Sequence, residues 1–276
     1  MLSWVGICRV ETTHTHYASS DMSGDCRHCS SIPSAATIIE GSGTTRTTRE
    51  HPMTLKSRLA LRLVFMPVMW GSLLFLPAGS FRFWQGWAYF IITLAFILSI
   101  LGYLYRHDPQ LIERRLRGGW RQETVREQKL IMKLIAATML IAFLLPGFDH
   151  RFGWSHLALW LTILSQAFVL GGYLMIFWTL KSNSFAASTI RVEAGQKVIS
   201  SGPYGIVRHP MYMGVDIWLL FTPLALDSYF ALPAFLLLIP LVVLRLLNEE
   251  RVLRQELPGY SEYCLHTRFR LIPFVW

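Results

Sequence analysis

Charge is scarce in this chain. Only 16% of its 276 residues are Asp, Glu, Lys or Arg, against about 25% in soluble domains, and that shortage excludes an ordinary soluble globular protein. Acidic residues are the scarcer sign, 17 against 26 basic, for a formal net charge of +9. Cysteine is scarce as well, with four in all. Cys26-Arg27-His28-Cys29, with Cys8, His14 and His16 nearby, offers candidate zinc ligands. No second Cys-x-x-Cys or downstream His pair completes a four-ligand set, so no metal site is expected. Cys264 reads as a packed, unpaired thiol, because a cytoplasmic setting disfavours disulfides. Glu40-Gly41-Ser42-Gly43 lacks the third glycine of a nucleotide-binding loop, and the preceding 40 residues cannot build the sheet that motif requires. A basic-then-apolar signal peptide is missing too, so the first apolar run is expected to serve as an uncleaved insertion signal.

Apolar sequence is what the chain has in abundance. Hydrophobic residues make up 53% and the mean hydropathy is +0.38. Several runs approach the roughly 20 apolar residues that carry a helix across a bilayer. Helices, or a closed barrel, are the structures that satisfy their own backbone there. The expected fold is therefore all-α, a polytopic transmembrane bundle of about six spans at 59–78, 87–105, 130–148, 154–179, 211–226 and 230–247. Asp227-Ser228 separates the last two, which implies a tight antiparallel hairpin that Pro223, Pro233 and Pro240 are expected to bend.

Basic residues test that count, since loops kept in the cytoplasm carry the excess Lys and Arg. From Met53 onward there are 22, and only Arg82 and Arg151 fall in loops that six alternating spans place outside. Both termini are then cytoplasmic, with Trp84, Trp87 and Trp154 in an outer aromatic belt. The net charge becomes a signal of topology and anionic lipid, not of nucleic acid.

Three regions follow. Residues 1–52 are rich in Ser, Thr, Gly and His, carry four Arg against five acidic residues, and are expected to be a disordered leader. Met53-Thr54-Leu55-Lys56 is a plausible alternative start. Residues 53–180 hold four spans, and residues 181–276 hold a helical hairpin and a carboxy-terminal segment.

Chemistry concentrates in that last region. The polar stretch 181–208, with Asn183, Glu193, Gly195 and Gln196, can line a pocket. Ser201-Gly202-Pro203-Tyr204-Gly205-Ile206-Val207-Arg208-His209-Pro210-Met211-Tyr212 sets charged and titratable groups against the start of an apolar run. Groups so placed are costly unless paired or ligated. Gly202-Pro203 marks a turn, Pro210 suits a first helical turn, and His209 at the helix entry is expected to stay neutral. The bland reading is that Arg208 and His209 anchor a helix end among headgroups. Arg245 and Glu249 share a helix face as an i,i+4 pair. Glu249-Glu250 among Arg245, Arg251 and Arg254 is either an interfacial salt-bridge cluster or a holder for a cationic ligand. Tyr260 and Tyr263 are pocket walls or interface tyrosines. Arg62 and Lys133 read as snorkelling residues.

Gly-Pro-Tyr, then Arg-His-Pro-Met-Tyr, a helical hairpin, Glu-Glu, Pro258-Gly259-Tyr260 and the closing Arg268-Phe269-Arg270-Leu271-Ile272-Pro273 resemble the isoprenylcysteine carboxyl methyltransferase family of integral membrane enzymes. The resemblance covers about residues 181–276 and weakens back to residue 54. It implies S-adenosyl-L-methionine as cofactor, a lipophilic or lipidated acceptor, contact with membrane lipids, and, being to bacterial-type members, a bacterial inner membrane. Carried over by position, cofactor contacts fall on Arg191, Gln196, Lys197, Val198, Ile199, Tyr204, His209, Pro210, Met211, Tyr212 and Glu250. Arg245 is given the acceptor carboxylate, and Glu249 stands with it as catalytic. The spacing leaves the choice between Glu249 and Glu250 for the cofactor open.

Three alternatives stay beside carboxyl methylation. One is a phospholipid-type N-methyltransferase. Another is an NADPH-dependent sterol reductase, whose His-Pro-x-Tyr segment has Asn before the Tyr and an acid after the following Gly, where this chain has Met211 and Val215. The last is a transporter or scaffold, with Gly171-Gly172 for helix packing and Arg114, Arg115 and Arg117 for anionic headgroups.

Overall fold

The computed structural model describes residues 55–117, 126–186, 192 and 195–276. The candidate zinc ligands, the rest of residues 1–52 with the 40–43 glycine stretch, Met53 and Thr54 of the alternative start, Arg191 and Glu193 lie outside the described residues. Among the described residues the secondary structure is helical throughout, with α1 (Leu55–Ala78), α2 (Trp84–His107), α3 (Pro109–Arg117), α4 (Arg126–Phe152), α5 (Leu159–Ser182), a 3₁₀ turn (Gly202–Gly205), α6 (Pro210–Ala225), α7 (Leu232–Glu256) and α8 (Tyr260–His266).

Five of these helices are long and apolar enough to cross a membrane: α1, α2, α4, α5 and α7. In each, between 22% and 33% of the most apolar window is buried inside the protein, so most of its Leu, Val, Ile and Phe surface faces outward. Leu61, Val64, Leu76, Ile91 and Trp160 are all well exposed. An apolar surface this continuous needs a hydrocarbon surround, and the chain is an integral multi-pass membrane protein. The expected span at 211–226 is present as α6, which runs between the same two ends of the bundle as α7 but is shorter than the other long helices. Helix α6 has 16 residues, about 24 Å at 1.5 Å per residue, short of the roughly 30 Å hydrocarbon core. Pro210 starts it and the Asp227-Ser228 turn stops it. The span expected at 154–179 begins five residues later, at Leu159, because the stretch before it is held out of the helix by side-chain bonds.

Those bonds close the end of the bundle remote from the polar segments. Asp149, 1% exposed, accepts the backbone N–H and the hydroxyl of Ser155, both at 2.7 Å, and the hydroxyl of Ser228. Asp227 holds a positive φ of 59° and accepts from Leu157 N at 2.7 Å and Gln85 Nε2 at 2.9 Å. The hairpin is thus stapled to the starts of α2 and α5. Pro233 lies in the first turn of α7, where it costs no backbone bond, while Pro223 and Pro240 are inside helices.

In the core, Trp70, Tyr89, Phe143, Tyr173, Trp218 and Phe235 join α1, α2, α4, α5, α6 and α7. Their polar atoms are paired, Trp218 Nε1 donating to Tyr89 Oη at 2.8 Å and Tyr173 Oη lying 2.9 Å from Thr93 Oγ1, as buried Tyr and Trp require. Helices α5 and α6 touch at Gly172 and Gly214, where a Cβ on Gly172 would lie 2.7 Å from Gly214 O. That contact sets α6 directly against α5.

Helix α3 was not foreseen as an element. Asp108 Oδ1 accepts from Leu111 N at 2.9 Å and Pro109 takes the first position, a regular helix start. Leu111 and Ile112 are buried against Leu101 and Leu104, while the arginines of α3 reach the polar connection after α5. Arg114 Nη1 donates to Ser184 O at 2.7 Å and Arg115 Nη1 to Ala186 O at 2.8 Å.

Candidate active site

The segment leading into α6 is fastened by the carboxy-terminal segment. Arg208 N donates to Phe269 O at 2.9 Å and His209 N to Arg270 O at 3.0 Å. Glu250 locks the same two pieces to α7. Its carboxylate meets Arg208 Nη2 at 3.1 Å, Arg254 Nη2 at 2.9 Å and Arg270 Nε at 2.6 Å, with Glu250 itself 3% exposed. Three guanidinium groups on one buried carboxylate offset its desolvation, as a buried anion requires.

Behind this lock is a cavity of about 130 Å³ between α3, the connection after α5, α6, α7 and α8. Gln196, Lys197, Val198, Ile199, Tyr204, His209, Pro210, Met211, Tyr212, Arg245 and Glu249 all line it. Asn183, residues 196–199, Tyr204, residues 208–212, Arg245 and Glu249 are therefore brought to one place. Of the other expected site residues, Arg191 is outside the described residues, and Glu250 is not in the lining.

The wall is electrically differentiated. Tyr212 Oη donates to Glu249 Oε2 at 2.5 Å. Arg245, 5% exposed, donates from Nη1 to Gln128 Oε1 at 3.2 Å. A carboxylate and a guanidinium therefore face one cavity from successive turns of α7. Burial pushes the His209 imidazole down to about 4, with Arg208 and Arg270 adding to the effect and Glu250 opposing it. Its neutrality, expected from the helix start, has burial as its main cause. His209 Nε2 lies 3.4 Å from Tyr260 Oη. Tyr204 accepts from Asn183 Nδ2 at 2.9 Å, and burial holds its phenol well above the usual range. Tyr263 Oη donates to Tyr204 O at 2.7 Å, and burial raises its own phenol to about 12. Both Tyr260 and Tyr263 are cavity walls.

Arg115, which the sequence offers to anionic headgroups only under the transporter or scaffold alternative, lines the cavity. It is 7% exposed, and burial draws its guanidinium down to about 10. The amphipathic pattern of 109–117 was the available signal, since a helix lying on the bundle end turns part of its polar side toward the enclosed space. A second and smaller apolar cavity, about 30 Å³, lies between α4, α5, α6 and α7 and shares the Val215 wall with the first.

The family model for phospholipid methyltransferases matches residues 159–258. That stretch runs from the first residue of α5 past the end of α7 and contains most of the cavity wall. The family is related to the isoprenylcysteine carboxyl methyltransferases and shares their membrane methyltransferase superfamily. The match supports a membrane methyltransferase enzyme and does not identify an acceptor. The chain is also similar to mouse Delta(14)-sterol reductase TM7SF2, 32% identical over 91 residues, which is 32% of this chain and 22% of that protein. The chain thus spans about a fifth of the length of this curated relative.

Proposed function

We propose that the protein is an integral membrane S-adenosylmethionine-dependent methyltransferase that methylates a carboxylate on a lipophilic acceptor. The observation that carries this reading is the pairing of Glu249 and Arg245, one anion and one cation a helical turn apart, on a single cavity at the polar end of a membrane bundle. The residue set fits the cofactor. Glu249 offers a carboxylate for positive charge, Tyr204, Tyr212 and Tyr260 offer ring faces, and Val198, Leu253 and Leu257 offer an apolar wall.

Bound there, S-adenosylmethionine would supply an electrophilic methyl group on a positively charged sulfur. The protein's part is to hold and to exclude. Tyr212 orients Glu249 through its hydroxyl, Arg245 takes the acceptor carboxylate, and Lys197 and Arg115 place positive charge at the cavity edge for the cofactor's own carboxylate. An anionic carboxylate needs no general base. Met211, Val215 and Leu253 keep the site poor in water, which suits a reaction in which opposite charges vanish, and fixed alignment adds a proximity gain. The apolar cavity beyond Val215 supports approach of the acceptor from the bilayer. The basic residues at this end of the bundle support a cytoplasmic cofactor entrance, with both termini on that side.

Purified protein incubated with methyl-labelled S-adenosylmethionine and a membrane lipid extract tests the reading. Base-labile label released as methanol is the expected result. Label in a base-stable amine would move the assignment to N-methylation of a phospholipid, the acceptor class in the matching family's name. The similarity to a sterol reductase gives a second reading its one support. Oxidation of NADPH with a sterol, and no label transfer, would decide for it.

A further inference from the structure

The segment that fastens the start of α6 closes in a tight apolar turn. Val275 N donates to Ile272 O at 3.1 Å, so Pro273 and Phe274 are its central residues. Arg270 N, Leu271 N and Ile272 N all donate to Trp276 O, at 2.8, 3.0 and 3.1 Å, and the Arg270 guanidinium lies 5.2 Å from the centroid of the Trp276 ring. The base of the turn is thereby fixed, with Leu271 buried. The tip faces outward. Phe274 is 89% exposed, Val275 74% and Ile272 54%. Phe274 also holds a φ of 65°, the left-handed conformation that turns usually give to glycine. A bulky side chain is strained there, and strain kept at one exposed residue points to a task for that residue.

Water is a poor surround for these side chains, and exposed apolar surface rimmed by polar groups marks an interaction site. Two observations say what covers this one. The turn sits at the polar end of the membrane spans, because Phe269 O and Arg270 O accept from Arg208 N and His209 N immediately before α6 begins at Pro210. The same stretch is also basic. Residues 251–276 carry Arg251, Arg254, Arg268 and Arg270 against Glu256 and Glu262, and Arg251, Arg254 and Arg268 are exposed. Apolar side chains beside exposed arginines match the boundary between acyl chains and anionic headgroups. We propose that this turn is seated in an anionic-lipid leaflet, with Ile272, Phe274 and Val275 among the acyl chains and the exposed arginines on the headgroups. Seated there, it holds Phe269 and Arg270 where they receive Arg208 and His209 and where Arg270 Nε meets Glu250 at 2.6 Å. The bilayer thus supports the segment that closes the cavity, whatever reaction the cavity performs.

The test uses the full chain in nanodiscs of phosphatidylcholine, alone or mixed with phosphatidylglycerol. With photoreactive benzoylphenylalanine in place of Phe274, mass spectrometry is expected to find the crosslink on lipid acyl chains, several-fold more of it when phosphatidylglycerol is present. Phe274→Gly removes the φ strain and the apolar tip together. For a turn in water that change would tighten the segment. For a turn seated in lipid it should speed tryptic cleavage after Arg268 several-fold, and Phe274→Trp should restore protection. A crosslink to a second copy of the chain, no crosslink, equal lipid yields in the two compositions, or unchanged or slower cleavage of Phe274→Gly overturns the proposal. No arm uses S-adenosylmethionine, so this inference and the methyltransferase reading stand or fall separately.

Discussion

Tyr212 and Glu249 are joined by a 2.5 Å hydrogen bond from phenol to carboxylate, which ties the first turn of α6 to the second-last turn of α7 across the cavity. The neighbouring carboxylate, Glu250, turns the other way, into three arginines. Two adjacent glutamates on one helix thus have different partners, and substitutions should separate them.

Glu249→Gln is expected to weaken S-adenosylmethionine binding by tenfold or more, because it removes the negative charge facing the cavity, with little change in thermal stability. Tyr212→Phe should have a smaller effect, a few-fold, since the carboxylate stays but loses its orienting donor. Calorimetric titration of both variants reads the difference. Normal affinity in Glu249→Gln would remove Glu249 from the binding site.

Glu250→Ala should act on the fold first. It strands Arg208, 6% exposed, without its anion, while Arg254 and Arg270 are partly solvated. The cost belongs at the low end of the range for breaking a buried pair, about 3 kcal/mol. It would appear as a lowered unfolding midpoint in detergent, with the carboxy-terminal segment more open to protease. A stable Glu250→Ala protein that lost cofactor binding alone would contradict the lock.

Acid should destabilise the protein through His209. Its folded value of about 4 lies below the ordinary 6.5, so the unfolded chain binds the proton more readily. The stability associated with the neutral imidazole is complete above about pH 6.5 and is lost as pH falls through about 4. The total is about 3 kcal/mol at 1.36 kcal/mol per unit. Unfolding midpoints measured between pH 7 and 4 should fall more steeply in the wild type than in His209→Gln. Parallel curves would count against it.

Gly171 and Gly172 should respond oppositely to alanine. A Cβ on Gly171 meets nothing within 4 Å, whereas one on Gly172 would lie 2.7 Å from Gly214 O and 3.0 Å from Trp218 N. Gly171→Ala is expected to be neutral or to gain up to about 1 kcal/mol of helix propensity. Gly172→Ala should cost about 1–3 kcal/mol as α6 is pushed off α5, and should lower methyltransfer because α6 carries Tyr212 and His209 caps its start. Equal behaviour of the two variants would exclude the close crossing.

Asp216 is an acid within α6 whose Oδ1 is buried and has no hydrogen-bond partner among the described residues. Asp216→Asn or Asp216→Leu should raise the unfolding midpoint, since an unmatched buried carboxyl is costly. A variant with raised stability and lost activity would instead give that carboxyl a part in the chemistry.

Much of this organisation could be read along the chain. Long apolar runs became α1, α2, α4, α5 and α7, and the turn residues around Asp227 became the hairpin. The run 201–212 and the pair Arg245 and Glu249 are recognisable from polar groups placed beside apolar runs, whereas Lys197, Val198 and Ile199 are named only by the family resemblance. Local patterns were less informative at the edges. The length of α6 depended on Pro210 and on the Asp227 staple, and the start of α5 on the Asp149–Ser155 bonds. Helix α3 is obscured because it is short and mostly polar, with Leu111 and Ile112 packed on Leu101 and Leu104 of the preceding helix.

The membrane-spanning character of the helices follows from the sequence by itself, because each residue in hydrocarbon must satisfy its own backbone and present its own apolar surface. Tertiary structure alone decided which glutamate faces the cavity, that Arg115 joins its wall, and that Gln128 meets Arg245. These are contacts between charges and donors up to 117 positions apart. Their partners are chosen by how helices pack, and adjacent residues of identical chemistry differ in that packing by the 100° that one helical step turns.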